Sequence, residues 1–249
     1  LLNERSGKPA IIDKLIKYAT GEIIIIHDAD WLFKVENKEL LSEMISWFDN
    51  PKLGGIAESF PIEFKKNLKN KSLAYNTIAW PHYLLYEFQK RFFTKKIDGF
   101  LYVVKKNNYF PFLTNIYRKD LYQKNITLGD DPERTIDIVK KGYNVMVLEN
   151  PNYPRMIATY ENMHFKDIFR QKIRTSIARR QLYNKYRISF SLTKFYIPLF
   201  FYMIYNARKT RSFKAIIGIF IWFSIIALSM ILPKKKRTTR EGWLMRAQR

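Results

Sequence analysis

An α/β domain followed by a membrane-associated segment is the fold class that this sequence predicts, and three observations carry the prediction. Glu22-Ile23-Ile24-Ile25-Ile26-His27 sets four consecutive Ile between a helical pattern and a turn, the mark of a strand buried on both faces as in a parallel sheet. Strand-like and helix-like segments alternate from there to residue 187. Phe213 to Leu232 is then a run of twenty residues whose single charge is Lys214, long enough to span a bilayer as a helix.

Each element has its own signal. Ser6-Gly7-Lys8-Pro9 leads into Ile11, Ile12, Leu15, Ile16 and Ala19, an amphipathic helix with Pro at an early position and Gly21 as its stop. The Ile strand comes next and delivers Asp28-Ala29-Asp30. Carboxylates two apart at the carboxyl end of a buried strand point the same way, and ligands of open α/β folds bind at that end. Hard oxygen ligands at this spacing suit Mg²⁺ or Mn²⁺ together with the phosphates of a substrate. Ile97-Asp98-Gly99-Phe100-Leu101-Tyr102-Val103-Val104 is a strand-like run closed by Lys105 and Lys106. Leu128-Gly129-Asp130-Asp131-Pro132 opens a helix through Ile136, Ile138 and Val139, which Gly142 ends before a strand at Asn144 to Leu148. Two acids at a helix start serve as caps. Adjacent like charges nevertheless cost energy unless a cation or a proton is used there.

From Phe165 to Arg187, Phe165, Ile168, Phe169, Ile173, Ile177 and Leu182 recur at helical spacing, while the opposite face is basic and carries the one acid Asp167. That pattern predicts an amphipathic helix lying on anionic headgroups. Phe190 to Tyr205 is a shorter apolar stretch, interrupted by Lys194 and Pro198 and about 24 Å long if wholly helical, marginal as a span. Phe213 to Leu232 is predicted to be transmembrane, stopped by Lys234-Lys235-Lys236-Arg237. The distribution of Lys and Arg favours a hairpin over a single crossing, with the domain on the cytoplasmic face, and an interfacial or re-entrant first segment is the further alternative. The expected organisation is a domain over 1–164, an interfacial helix over 165–187, and membrane segments with a basic tail over 188–249.

Composition narrows the function. The 249 residues carry 44 Lys plus Arg against 22 Asp plus Glu, a net charge of +22 on a chain that is 47% hydrophobic, which excludes disorder as the main state. Residues 1–187 and 188–249 each hold +11. With no cysteine there is no disulfide scaffold, thiolate zinc site, iron–sulfur cluster or cysteine nucleophile, and three histidines make no His-rich cage. The start at Leu1 falls inside a motif, with no basic and apolar leader, and the expectation is a fragment of a longer chain.

The order of these motifs resembles the family 2 glycosyltransferases of GT-A fold, in their membrane-attached branch, over residues 5 to about 182. Arg5-Ser6-Gly7-Lys8 is similar to the family's Gly-Lys turn, and Asp28-Ala29-Asp30 to its D-x-D. Gly99 to Lys106 looks like the acceptor-side strand, and Asp130-Asp131, eleven residues before Gly142-Tyr143, like the acidic pair that precedes a Gly-Tyr. Gln171-Lys172-Ile173-Arg174 sits where membrane-bound members have Q-x-x-R-W. The resemblance implies a Rossmann-like nucleotide-sugar domain whose opening strands precede residue 1. It implies Asp131 as the base for an acceptor hydroxyl beside Asp130, with Lys8, Asp28 and Asp30 at the donor. Asp28 and Asp30 would hold Mg²⁺ or Mn²⁺, His164 being a further candidate ligand, and Gly99, Gln171 and Arg174 would serve the acceptor and the diphosphate. The partners implied are a UDP- or GDP-linked sugar, a lipid-linked or glycan acceptor and the membrane, with no specific nucleic acid. Thr175 stands where the family has its Trp, which counts against a cellulose-synthase-like processive polymerase, and Asp13 stands where many members have Asn.

Two rival readings fit part of the pattern. Gly129-Asp130-Asp131 matches the acidic hairpin of RNA-directed polymerases, but there the acids lie between two strands, whereas Pro132 and a helical period follow here. A basic membrane-anchored adaptor, or an inactive transferase relative, accounts for the charge but needs no D-x-D at a strand end.

Overall fold

The computed structural model describes residues 8–27, 31–57, 71–104, 112–124, 127–158, 164–188 and 191–231. Among these the chain runs α1 (Lys8–Leu15), β1 (Ile23–Ile25), β2 (Trp31–Lys34), α2 (Lys38–Ser46), β3 (Leu53–Ala57), α3 (Leu73–Phe93), β4 (Thr94–Ile97), β5 (Phe100–Val103), β6 (Thr114–Arg118), α4 (Asp130–Lys140), β7 (Asn144–Val147), β8 (Arg155–Ala158), α5 (Phe165–Tyr186), α6 (Ile197–Lys209) and α7 (Phe213–Ile231). Helix starts follow capping chemistry. The Asn37 side chain accepts from the Glu39 and Leu40 amides, at 2.7 and 3.4 Å, ahead of α2, and Ser72 Oγ accepts from the Tyr75 amide at 3.1 Å ahead of α3.

The main sheet has the order β1-β6-β3-β7-β5-β4 and is mixed: β3 and β7 are parallel and every other neighbouring pair is antiparallel. β2 and β8 form a separate antiparallel pair. Alternation along the strands divides the core. Tyr117, Val145 and Val147 join Ile136, Ile138 and Val139 of α4 on one face, while Ile116 and Met146 join Met44 and Phe48 on the other. Gly54 and Gly55 of β3 let α4 close on the sheet. A Cβ at Gly54 would lie 2.6 Å from Ile138 Cγ2 and 2.7 Å from Tyr143 Cβ, and one at Gly55 would lie 2.6 Å from Thr114 Cγ2.

Three expectations change. The four-Ile strand is not flanked by parallel neighbours: β1 pairs antiparallel with β6, lies at the sheet edge among the described residues and leaves Ile25 37% exposed. An apolar run fixes neither the direction of a strand nor, at a sheet edge, its burial. The run from Ile97 to Val104 is not one strand, because Asp98 (φ 48°) and Gly99 (φ 85°) turn it into the β4–β5 hairpin, the two positive-φ residues that a tight two-residue turn demands. The apolar stripe of α5 is covered by protein. Ile168 packs with Ala74, Ile78 and Ile225, Ile177 and Ala178 pack with Leu128, and Leu182 joins the main core; Phe165 stays exposed.

Of the two C-terminal stretches, the first forms one π-helical turn (Leu192–Tyr196) continuing into α6, and the second forms α7. α7 is the one described helix long and apolar enough to cross a membrane.

Candidate active site

Four side chains from two distant helices meet at the start of α4. Asp130 and Asp131 occupy its first turn, where the helix dipole favours negative charge. Arg134, one turn on, reaches back to both: its Nη1 donates to Asp130 Oδ2 at 3.1 Å and its Nη2 to Asp131 Oδ1. The same guanidinium is fastened to β6 by Nε to the Thr114 carbonyl at 2.8 Å and by Nη2 to Asn115 Oδ1 at 2.7 Å. Lys8, at the head of α1, supplies the second cation, with Nζ 3.1 Å from Asp130 Oδ2 and 3.5 Å from Asp131 Oδ1. Two cations and two carboxylates leave the quartet neutral.

The approach to α4 is held by its own helix and by α5. The Thr127 amide and hydroxyl donate to Glu133 Oε2 at 3.0 and 2.8 Å, and Lys185 Nζ pairs with Glu133 Oε1 at 2.7 Å. The Leu128 amide donates to Gln181 Oε1 at 2.8 Å. α5 passes close to Gly129; a Cβ there would be in van der Waals contact, 3.4 Å from Ala178 Cβ and from Leu182 Cδ1.

Burial separates the two acids. The Asp130 side chain is 4% exposed and that of Asp131 22%. Burial, and then the charge of Asp131, raises the Asp130 carboxyl above the ordinary range against the pull of Lys8 and Arg134. At Asp131 burial acts in the same direction, but Lys8 and Arg134 outweigh it and hold the carboxyl at about 2. Burial alone would lower the Arg134 guanidinium, yet the two carboxylates raise it. Beside them burial pushes the Tyr117 phenol up to about 12, with Asp130 adding to the rise and Arg134 opposing it. Both bonds made to Asp131 fall on Oδ1. Its Oδ2 takes none among the described residues, so the partly exposed carboxylate is anchored through one oxygen and presents the other.

The residues singled out in the sequence fall into groups. Lys8, Asp130 and Asp131 are brought together. Asp28 and Asp30 lie outside the described residues, but the strand leading to them ends at the quartet's support: the Ile26 amide donates to the Asn115 carbonyl at 2.8 Å, and the Asn115 side chain holds Arg134. Gln171 and Arg174 sit on α5 ten and seven residues before Gln181, about 15 and 10 Å along the helix from the side chain that holds the Leu128 amide. Gly99 occupies the β4–β5 turn, and a Cβ there would meet nothing within 4 Å. His164 is the exposed cap residue of α5, its amide donating to Asp167 Oδ2 at 3.4 Å. Asp13 accepts from the Tyr122 hydroxyl at 3.2 Å.

Among the described residues no group of three metal-ligating side chains forms. The quartet does not fit Mg²⁺ or Mn²⁺, because both carboxylates are already compensated and a dication would stand against Lys8 and Arg134. Residues that the sequence reading passed over are Arg134, Asn115, Glu133 and Gln181. Arg134 had a local signal, since a cation three and four places after two acids lies on their helix face. The others are placed by tertiary structure alone. No protein-family model, curated protein or solved structure matches this chain.

Proposed function

We propose that this chain is the catalytic part of an inverting glycosyltransferase of GT-A type, which moves a sugar from a UDP- or GDP-linked donor to a lipid-linked or polysaccharide acceptor at a membrane. The observation that carries the reading is Asp131: an ionised carboxylate at a helix start, fixed through Oδ1 by Lys8 and Arg134, with Oδ2 left to meet a hydroxyl. In the reaction Oδ2 takes the proton of the acceptor hydroxyl as its oxygen attacks the anomeric carbon, and the bond to the nucleoside diphosphate breaks. One displacement inverts the configuration at that carbon.

Lys8 gives this base its control. A carboxyl held at about 2 has little appetite for a proton. Lys8 is the foremost cation lowering it, and an incoming diphosphate competes for the same ammonium. Donor binding thereby weakens one of two restraints on Asp131 and raises its proton affinity when the substrate is in place, while Arg134 keeps its position. Any divalent ion falls to Asp28 and Asp30, since the quartet does not accept one.

The low value at Asp131 also favours a second reading, in which the quartet is a permanent structural knot in a non-catalytic basic membrane adaptor. Nucleoside diphosphate release separates the two. The chain with its membranes is offered a panel of nucleotide-sugars, with Mg²⁺ or Mn²⁺ and with chelator. The transferase releases diphosphate from one donor and stops with chelator; release from none, with native acceptor present, supports the adaptor.

A further inference from the structure

Length and hydropathy alone let α7 cross a bilayer, since nineteen residues give about 28 Å of helix. Its surroundings argue for another arrangement. Ala215, Gly218, Ile219, Trp222, Ile225, Ile226 and Ser229 are buried, a stripe at three- and four-residue spacing running nearly the whole helix. Phe213, Phe220, Leu228 and Ile231 are exposed. The buried stripe is taken up by the domain itself. At Gly218 the helix touches the α3 backbone so closely that a Cβ would stand 3.1 Å from the Asn76 carbonyl oxygen and from Thr77 Cα. Ile225 packs with Ile168 of α5 and Ile78 of α3. Trp222, the tenth of the nineteen residues, lies under Lys172 Nζ at 4.8 Å and beside the His82 ring at 6.4 Å.

The middle of α7 is thus where α5 crosses it. If α7 stood upright and centred in a bilayer, Lys172 would be carried to the hydrocarbon midplane and its helix neighbours Asp167, Arg170 and Arg174 to within a few residues of it. Even with Lys172 neutral, the charges of those neighbours would be placed there at a high cost. A helix lying along the surface avoids that cost, with the domain on one side and lipid on the other.

α6 completes such a surface. Ile197, Phe201 and Tyr205 are exposed at four-residue intervals, and Phe200 ties the two helices together with ring centroids 5.4 Å from Phe220 and 5.1 Å from Phe223. The rim is cationic. Arg208, Lys209, Arg211 and Lys214 are exposed at the α6–α7 turn and Lys194 in the π-helical turn before α6, and residues 188–231 contain no acid. An apolar face of two helices whose own charges are all cations complements an anionic leaflet.

We propose that α6 and α7 form a monotopic membrane-binding face that dips into one anionic leaflet while its inner side stays docked on α3 and α5, and that α7 does not cross the bilayer. The inference rests on the membrane part of the function proposed above and not on glycosyl transfer. The chain has no cysteine, so single cysteines can carry nitroxide labels without a background. F213C, F220C, S224C, L228C and I231C, all on the outward side of α7, are labelled in the full chain and bound to vesicles of phosphatidylcholine with phosphatidylglycerol, and label depth is read from oxygen against nickel-complex accessibility. All five labels are expected at one shallow depth, within about 10 Å of the headgroups. A profile that deepens from Phe213 and Ile231, at the two surfaces, to a maximum at Phe220 and Ser224, each about 10 Å along the helix from its nearer end, would overturn the proposal in favour of a crossing. Labels that all remain in water would overturn it in favour of a protein partner. Diphosphate release plays no part in this readout, so the failure of either idea leaves the other standing on its own test.

Discussion

Arg134 and Lys172 are both buried cations on helices, 3% and 5% exposed, and burial works against the charge of each. Around Arg134 stand Asp130 and Asp131, whose charges overcome burial and raise the guanidinium. Around Lys172 the acting charges are those of Arg179 and Arg174, which add to the effect of burial, and the ammonium falls well below the usual lysine range. Its hydrogen-bond partner is His82 Nε2 at 3.0 Å, which fixes that nitrogen as the acceptor when Lys172 donates. Burial, followed by the charge of Lys172, lowers His82 as well. Compensation keeps charge in the first region. The second region sheds charge and keeps shape, where α5 meets the apolar α7.

Removing one cation from the balanced cluster tests this most severely. Arg134→Met leaves Asp130 buried beside Asp131 with Lys8 as their remaining cation, and is expected to cost about 3–5 kcal/mol in urea unfolding. A cost no larger than that of a surface substitution would show that the quartet holds nothing together.

Acid offers a gentler probe of the same cluster. The folded Asp131 carboxyl, at about 2, lies below its unfolded value of about 3.9, so its contribution is complete above the unfolded value and is lost as pH falls towards the folded one. The stability gap between the protein and Asp131→Asn is expected to shrink by on the order of 2 kcal/mol from about pH 6 to about pH 2. A gap that widens in acid would assign the low value to the wrong carboxylate.

Lys172→Met should have the smallest effect, because Met fills similar volume beside Trp222 and no compensated charge is broken; about 1–2 kcal/mol is expected near neutrality, from the loss of the His82 Nε2 hydrogen bond. The sign of its pH dependence is the sharper readout. With the folded value below the unfolded one, the unfolded chain binds the extra proton, and the parent protein gains stability relative to Lys172→Met as pH rises towards about 10.4. A slope of the opposite sign would mean that Lys172 is held charged, and the contrast with Arg134 would disappear.

How far the sequence foretold this arrangement depended on whether a signal was local. The start of α4 was legible from Gly129-Asp130-Asp131-Pro132 and its end from Gly142, and the spans of α5 and α7 were legible from apolar spacing, because caps and periodicity sit within a few residues of what they control. The β4–β5 hairpin was missed although Asp98-Gly99 is a tight-turn pair, since the apolar residues on both sides read as one continuous strand. The antiparallel setting of β1 depends on β6, some ninety residues away, and left no trace in the Ile run. The quartet was half legible. Asp130 and Asp131 stood out by type and place, whereas Lys8 meets Asp131 across 123 positions of chain and Arg134 was hidden among ordinary helix residues. The protein cover over the apolar stripe of α5 was equally out of reach, because amphipathic spacing shows that a face is buried and not what buries it.

The central claim is that Asp131 is the base, and the most direct test is the rate of diphosphate release by Asp131→Asn with donor affinity measured alongside. The amide keeps the size and the place of the carboxylate but cannot take the proton. The expected result is a fall in kcat of about 10²–10⁴-fold with donor Kd little changed; turnover at the parent rate would contradict the account.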